Sequence, residues 1–393
     1  MPLDTLSSSR TLRSLLAVLI VTFNLRGAIT CVGPLLDTIQ TEFGLSSTAA
    51  GFLTSLPLFA FGFVSPYAAP LARRLGMELA ILASLVLLLG GLVLRYLPSV
   101  VLLYLGTACI GIAIAIGNVL LPGLLRRDHH QHLTLVTALF TMVLVIVGGL
   151  GSGLSIPLYE LGGWRFSLAA WALPVVASIA LWLPELRHNT RTAQTPAPTP
   201  KISLWRSPLA WQVALLMGCQ SSAFYVLIAW FPSLMLETQG VSAARSGWIL
   251  FVYQIFILIS VMAVPPLIQR LADQRWIGAG CGALALSGYL GLYLAPAQAM
   301  TWMLLLGLGG GGALVLTLTL FGLRTQTTTQ TVALSGMAQA VGYLMAALLP
   351  IVIGFVHDLC GNWNLSLLLM LVICTGQMVM GYLSGLPRTI EAS

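Results

Sequence analysis

One arginine, Arg26, lies near the middle of a long apolar stretch that covers residues 12–36. At ~1.5 Å per residue, it stands roughly 21 Å from the start of a helix over this stretch. A guanidinium stays charged in proteins, so a membrane helix normally turns it toward a polar cavity or a partner. Its planar fork of donors suits a carboxylate, a cyanate or a nitro group. The position predicts a site for a small planar or anionic solute, or else a clamp that holds carbonyls or Asn24.

Helical spacing predicts further polar side chains near Arg26. Thr22, Arg26, Thr30 and Gly33 follow at steps of three and four residues, which gives one stripe along an uninterrupted helix. Such a stripe is what a cavity wall requires.

Later apolar stretches also contain isolated polar side chains. Asn118 comes one turn before Pro122, where a kink would free a carbonyl. An interhelical hydrogen bond is the alternative for this amide. The other candidates for contact with a solute are Gln220, Tyr225, Gln339 and Tyr343.

The same stretches hold no group that predicts catalysis. They contain no nucleophile–base pair, carboxylate pair or metal pair, and Ser152 between two glycines is an isolated nucleophile. His129, His130 and His132 share one short loop without further ligand spacing, so no metal is expected. The glycine-rich run 307–312 has no following G-K-S/T, which argues against a nucleotide site and favours close helix packing or a hinge. We therefore expect neither an enzyme nor a cofactor.

The composition identifies the elements that carry these residues. Hydrophobic residues make up 58% and charged residues 7% of the 393-residue chain, whereas a soluble domain carries roughly 25% charged residues. Apolar runs of ~20 residues, each long enough to cross a ~30 Å hydrocarbon layer, recur along the chain. We predict an all-α polytopic membrane protein with twelve transmembrane helices, over residues 12–36, 48–70, 77–96, 98–121, 133–157, 164–184, 209–235, 246–268, 276–295, 299–321, 330–356 and 364–385.

The distribution of positive charge predicts how these helices are oriented, because loops rich in Lys and Arg stay cytoplasmic. With the N-terminus inside, the opposite side holds Arg95, Arg165 and Arg245. The cytoplasmic side then holds Arg10, Arg13, Arg73, Arg74, Arg126, Arg127, Arg187, Arg191, Lys201, Arg206, Arg270, Arg275, Arg324 and Arg388. Both termini are therefore expected to be cytoplasmic, with residues 12–36 retained as a helix. This bias and anionic lipids explain the net charge of +7 without nucleic acid.

The chain divides near its middle. Residues 185–208 form the longest polar interruption and predict a cytoplasmic linker between a first six-helix bundle, 1–184, and a second, 209–393. Motifs also recur across it. Trp164 with Ser167 returns at Trp363 with Ser366, and Gly111 with Gly123 returns at Gly310 with Gly322, all at an offset of 199 residues. We interpret this as an internal duplication that gives two pseudo-symmetric bundles.

Twelve helices in two halves with a mid-chain linker resemble the major facilitator superfamily. Residues 69–76 (APLARRLG) resemble its gating motif, although Arg73 replaces the usual acidic residue and Glu78 follows downstream. The resemblance implies gating roles for Arg73, Arg74, Gly76, Arg126 and Arg127; topology-setting charge alone is the alternative for the arginine pair.

Two longer stretches are similar to the cyanate porter branch of that superfamily. They are residues 24–39 (NLRGAITCVGPLLDTI) and 117–128 (GNVLLPGLLRRD). Members of this branch carry cyanate or 2-nitroimidazole, and the second stretch is closer to the nitroimidazole-carrying members.

The resemblance implies alternating access, with helices one, four, seven and ten lining a midplane cavity that contains Arg26. We expect a monomeric secondary transporter of the bacterial inner membrane that moves a small planar or anionic solute. A proton-coupled multidrug exporter of neutral aromatic compounds is the main alternative, and a membrane-embedded enzyme is a weaker one. No carboxylate lies mid-helix, so the nearest candidates for proton transfer are Asp37 and the pair His357 and Asp358.

Overall fold

The computed structural model describes residues 9–45, 47–188, 204–271 and 273–390, and its regular elements there are all helices. The α-helices are α1 Ser9–Phe23, α2 Gly27–Thr30, α3 Leu36–Phe43, α4 Ser47–Leu75, α5 Met77–Tyr96, α6 Val100–His129, α7 Leu133–Ala169, α8 Ala172–Trp182, α9 Pro208–Gln239, α10 Ala243–Arg270, α11 Arg275–Leu294, α12 Ala299–Leu323, α13 Thr328–Cys360 and α14 Asn364–Ser384. The chain forms two compact units, Met1–Thr199 and Pro200–Ser393. Residues 189–203, most of the predicted linker, lie outside the described residues.

The helices have the length and composition of membrane spans. Ten stretches of the described residues are long and apolar enough to cross a bilayer, and the longest, Val100–Ala169, contains both α6 and α7. Large apolar side chains are exposed on both units, among them Leu161, Leu173 and Val372. Hydrocarbon surrounding the protein accounts for this surface, because water would disfavour so much exposed apolar area.

The first predicted helix is interrupted, which corrects the single stripe expected over residues 12–36. Helix α1 ends at Phe23, a turn covers residues 24–26, and α2 begins at Gly27. The Thr22 hydroxyl donates to the carbonyl of Val18 at 2.7 Å, and the Asn24 amide donates to that of Ile20 at 3.0 Å. Side chains that bond to carbonyls in the preceding turn compete with the helical backbone and bend it. Thr22 and Gly33 therefore do not continue one helical face with Arg26.

The sixth predicted helix, over residues 164–184, is interrupted as well. A turn at residues 170–171 separates α7 from α8. Just before the predicted span, Gly163 has φ +79° and marks a kink between the main part of α7 and its end. Trp171 in the turn between α7 and α8 lies against Gly27, where an added Cβ would overlap the indole ring. The interruptions of the first and sixth helices therefore meet in the first unit.

The helices of the second unit are continuous, including the glycine-rich run within α12. A Cβ at Gly309 would lie 2.6 Å from the carbonyl oxygen of Cys281, and one at Gly311 would overlap Ile257. The glycines allow α12 to pack closely against α10 and α11, so the run serves helix packing.

Both units repeat one set of contacts, which supports the internal duplication. In the first unit, the Trp164 indole donates to the Glu42 carboxylate, and the Ser167 hydroxyl donates to the carbonyl of Ser155 at 2.9 Å. In the second unit, Trp363 donates to Glu237 at 2.8 Å, and Ser366 donates to the carbonyl of Ile353 at 3.1 Å. The motifs that recur in the sequence therefore make the same hydrogen bonds.

Substitution of Gly278 tests the close packing of the second unit. A Cβ there would overlap the backbone of Gly381, and a Cβ at Gly381 would lie 2.6 Å from the Gly278 carbonyl oxygen. Backbone atoms cannot yield as a side chain does, so we expect Gly278→Ala to destabilise the protein by about 1–3 kcal/mol, the usual range for overpacking. The measurement is thermal unfolding of purified protein. Gly280→Ala is the matched control, because nothing lies within 4 Å of a Cβ there; equal losses in both variants would contradict the packing explanation.

Candidate functional site

Arg26 is the residue from which helix α2 starts. It has φ −130° and ψ −45°, outside regular helical geometry, and it is half-buried. Its carbonyl oxygen accepts hydrogen bonds from the backbone N–H groups of Ile29 and Thr30, both at 3.0 Å, and from the Thr30 hydroxyl at 3.2 Å. Two of the predicted site residues, Arg26 and Thr30, are thus joined at the interruption.

The interruption leaves carbonyl groups that the helix itself does not satisfy. The N–H of Val32 donates to Ile29 instead of Ala28, and the Ala28 carbonyl accepts from Arg95 Nη1 at 2.6 Å. Unsatisfied backbone groups are costly in a membrane, so other helices must supply donors to an irregular segment. Arg95, from the end of α5, performs this role.

The charge distribution placed Arg95 on the non-cytoplasmic side, and the structure shows that its side chain is buried there. Its side chain is only 1% exposed, and its Nε donates to the Thr107 hydroxyl at 3.0 Å. No carboxylate of the described residues lies within ion-pair distance of it. One feature of the sequence indicated this burial: Arg95 lies inside the predicted span 77–96, where a charged residue needs a partner.

Helix α7 supplies two further donors to the interrupted segment. The Ser152 hydroxyl donates to the Thr30 carbonyl at 3.2 Å, and that of Ser155 donates to the Cys31 carbonyl at 3.0 Å. A Cβ at Gly151 would overlap the Thr30 side chain, so this glycine is what allows α7 to approach. Ser152, which resembled an isolated nucleophile in the sequence, instead donates a hydrogen bond to the backbone of the interrupted segment.

Asn118 lies on α6, which also contacts the interruption. A Cβ on Gly117, its neighbour, would lie 2.8 Å from Leu25 Cδ2, and Leu25 precedes Arg26. The Asn118 side chain is 6% exposed. The first unit thus holds three of the seven solute-contact candidates.

The other four candidates lie on two helices of the second unit. Gln220 on α9 and Gln339 on α13 are buried, and their amides donate to the hydroxyls of Ser221 at 2.8 Å and Ser335 at 2.9 Å. Tyr343 is buried on α13, whereas Tyr225 is half-buried and packs edge-on against Phe224. Gly218 and Gly342 allow α9 and α13 to pack closely, since added Cβ atoms would meet Met345 and Met217. The closely packed pair of helices α9 and α13 therefore carries four of the predicted solute contacts: Gln220, Tyr225, Gln339 and Tyr343.

An ion pair between buried Glu78 and half-buried Arg127 lies directly after the predicted gating motif. Glu78 lies 2.7 Å from Arg127 through Oε1 and Nη1, and Arg127 also bonds Asp128 at 2.6 Å. The Trp182 indole donates to the Glu78 carbonyl at 2.9 Å, so the group joins α5, α6 and α8. Gly76 precedes α5 with φ +89°, a conformation that favours glycine.

The remaining predicted gating arginines differ in their surroundings. Arg73 and Arg74 are exposed at the end of α4, and Arg126 is half-buried. The partner of Arg127 is Glu78, an acidic residue that follows the motif in which position 73 is an arginine.

The second unit has an arginine in a comparable place. Arg324, 4% exposed, donates to the carbonyl groups of Ser384 at 2.8 Å and Gly385 at 3.0 Å, and to Gln274 Oε1 at 2.5 Å. Burial lowers the pKa of Arg324 to about 10, so it remains charged at neutral pH. It ties the end of α12 to those of α11 and α14.

Comparisons with known proteins agree with this architecture. Residues 18–350 match the family described as Major Facilitator Superfamily. The chain is 38% identical over 376 residues to the 2-nitroimidazole transporter of Escherichia coli (strain K12), which covers 95% of each chain. It is 27% identical over 352 residues to the cyanate transport protein CynX of the same organism, covering 89% of this chain and 91% of that one.

A solved structure supports the fold. The crystal structure of FucP, a transporter of the same superfamily in its outward conformation, matches with a TM-score of 0.75 at 16% identity, over 95% of this chain and 98% of that one. At this identity the similarity concerns the fold alone, and it confirms the all-α polytopic prediction.

Removal of the Arg95 side chain tests the account of the interrupted helix. Arg95→Gln shortens the side chain and leaves the Ala28 carbonyl buried without its donor, which costs about 1–3 kcal/mol. We expect a lower thermal unfolding temperature, and a smaller loss in Thr107→Val, which keeps the contact with Ala28. Arg74→Gln removes the same charge from an exposed position and serves as the control. An unchanged unfolding temperature in Arg95→Gln would show that α2 does not depend on this contact.

Proposed function

The chain belongs to the major facilitator superfamily, and on this basis we propose that it moves a small planar or anionic solute, cyanate-like or 2-nitroimidazole-like, with Arg26 as its principal ligand. It is a multi-pass secondary transporter and not an enzyme. The name of the 38% identical relative favours the 2-nitroimidazole class, and that of the 27% identical relative favours small anions.

The interruption of the first helix at Arg26 is the observation that carries the proposal. Irregular backbone at membrane depth is tolerated where it is buried in protein or lines a water-filled cavity. Many secondary transporters form their solute sites from such discontinuous helices. Arg26 is half-buried in the turn that joins α1 and α2.

The guanidinium of Arg26 explains why both solute classes fit one site. It offers parallel N–H donors that match two oxygens of a nitro group or the charge of a cyanate. We assign the second contact in the first unit to Thr30, whose hydroxyl lies against the Arg26 carbonyl, and the third to Asn118. In the second unit we assign solute contacts to Gln220, Tyr225, Gln339 and Tyr343, whose amides can exchange hydrogen bonds and whose rings can stack on a planar heterocycle.

The gating assignment rests on the charged group around Glu78. Its pair with Arg127 holds α5 to α6, and we propose that the exposed Arg73 and Arg74, together with Gly76 and Arg126, take part in opening and closing at this end. Glu78 is buried, so an opening that separates it from Arg127 would leave its charge without this partner, and the ion pair favours the arrangement in which α5 and α6 are held together.

The arrangement in the membrane is also part of the proposal. The arginine distribution supports a membrane orientation with both termini cytoplasmic. We also propose that the protein is a monomer of the bacterial inner membrane. We further propose a first bundle of residues 1–184, a linker of residues 185–208 and a second bundle of residues 209–393.

The neutral-aromatic alternative has one observation in its favour. The relative named for 2-nitroimidazole aligns with nearly the whole chain, and Tyr225 and Tyr343 could stack on such a ring. In a proton-coupled multidrug exporter, stacking would dominate binding and Arg26 would contribute little.

Ligand-induced stabilisation of Arg26 variants distinguishes these possibilities. A solute that binds only the folded protein stabilises it by RT ln(1 + [L]/Kd), about 2.7 kcal/mol at 100 times Kd. We expect sodium cyanate or 2-nitroimidazole to raise the unfolding temperature of the wild type, Arg26→Gln to abolish this shift, and Arg26→Lys to retain part of a cyanate shift. The measurement is thermal unfolding in detergent across a concentration series.

The control is Arg270→Gln, which should keep the wild-type shift because Arg270 is exposed at the end of α10 and has no proposed role. A 2-nitroimidazole shift that survives Arg26→Gln would remove Arg26 from the site and favour the aromatic exporter. If the ligand-induced shift in unfolding temperature is lost equally in Arg26→Gln and in the control variant, a general effect of charge explains it.

A further inference from the structure

A histidine, a glutamate and a tryptophan form a cluster at one end of the second unit. Glu237, near the end of α9, accepts a hydrogen bond from the Trp363 indole at 2.8 Å, and its Oε2 lies 2.9 Å from Nε2 of His357 on α13. The His357 and Trp363 rings stack with centroids 4.0 Å apart. The His357 side chain is 18% exposed and that of Glu237 is 45% exposed, so water reaches the cluster.

The first unit has a matching cluster with a different cation. Glu42 accepts from the Trp164 indole and from Arg165 Nη2 at 2.5 Å, and the Arg165 guanidinium lies 4.5 Å from the Trp164 ring centre. Trp164 and Trp363 are related by the offset of 199 residues, which places Asn364 where the first unit has Arg165. The second unit thus has no arginine at the corresponding position, and its glutamate contacts an imidazole from another helix.

This exchange alters how the two clusters respond to pH. Arginine is always charged, and the Trp164 hydrogen bond, followed by that of Arg165, lowers the pKa of the Glu42 carboxyl. The first cluster therefore keeps its charges over the physiological range. An imidazole, in contrast, changes its charge between about pH 5 and 8.

Two carboxylates lie beside the His357 imidazole. The titratable groups against the imidazole are Glu237, across on α9, and Asp358 of its own helix, whose Oδ1 lies 3.7 Å from Nδ1. Within the described residues, no other acidic or basic group lies within ion-pair distance of it. Both carboxylates attract a protonated ring, and a neutral ring has only one N–H to offer the two of them.

We propose that His357 and Glu237 form a proton-binding site that holds α9 to α13 when it is occupied. A proton from the adjacent water binds the imidazole, Nε2–H then donates to Glu237, and Nδ1–H faces Asp358. Loss of the proton to water removes the charge pair and leaves the Trp363 contact. The site deepens the proposed function by naming where a coupling proton binds, and its link to transport rests on that function.

Thermal unfolding against pH tests the site without any solute. In the proposed site the protonated imidazole is held by Glu237, so we expect the folded protein to be stabilised at low pH and to lose this stabilisation when the ring releases its proton. We expect the wild-type unfolding temperature to fall between pH 5 and 8 relative to His357→Gln, which lacks the titrating group. His357→Arg should remove the fall and retain the higher stability, as Arg165 does in the first unit.

The matched control transfers the chemistry to the first unit. Arg165→His places an imidazole beside Glu42 and Trp164, and it should add a second pH-dependent loss of stability. Direct detection uses the full chain labelled with ¹⁵N-histidine, in which the His357 ring signals are identified by their absence in His357→Gln. These signals should report protonation that moves to lower pH in Glu237→Gln. A wild-type pH profile identical to that of His357→Gln, or His357 signals insensitive to Glu237→Gln, would overturn the site.

Transport in liposomes then separates the site from the proposed function. Uptake of 2-nitroimidazole driven by a pH gradient should be lost in His357→Arg, while exchange of the same solute at equal pH on both sides should remain. If neither the wild type nor any variant binds 2-nitroimidazole or cyanate, the solute assignment fails while the unfolding and NMR results still decide the proton site. Gradient-driven uptake that persists in His357→Arg would overturn its role in coupling.

Discussion

The hydrogen bond from Arg95 to the Ala28 carbonyl is the contact on which the organisation of the first unit depends. A membrane segment must satisfy its backbone groups within the protein, so a helix can be interrupted only where other helices supply donors. Arg95 supplies one, and Ser152 and Ser155 supply two more, to the carbonyls of Ala28, Thr30 and Cys31. With these carbonyls satisfied, the chain can hold Arg26 in a non-helical conformation and leave its side chain half-buried.

The two units make matching contacts and differ in what each provides. Both keep the tryptophan–glutamate contact and the serine–carbonyl contact between corresponding helices. Interrupted helices occur in the first unit, whereas the helices of the second are continuous and packed through glycines such as Gly278 and Gly309. The first unit therefore offers irregular backbone and a fixed cation at Arg165, and the second offers rigid helices and a titratable imidazole at His357.

The membrane fold was predictable from the sequence because hydrophobic length is a local property. A run of ~20 apolar residues has few alternatives to a spanning helix, whatever its neighbours are. The duplication was also visible, since Trp164 and Trp363 keep their spacing to the following serines. Similarity to the 2-nitroimidazole transporter confirmed the family resemblance that residues 24–39 and 117–128 had suggested.

The sequence alone determined the class of protein and the approximate spans, and it placed Arg26 inside the first of them. Tertiary structure decided where the first and sixth helices are interrupted and what Arg95 and Glu78 bind. Periodicity describes a helix as if it were isolated, and it cannot show that Asn24 bonds to its own backbone or that Gly27 lies under Trp171. A charge at a helix end is likewise ambiguous, because solvation in a loop and burial against a carbonyl on another helix leave the same local sequence. Contacts between residues far apart in the chain made that distinction.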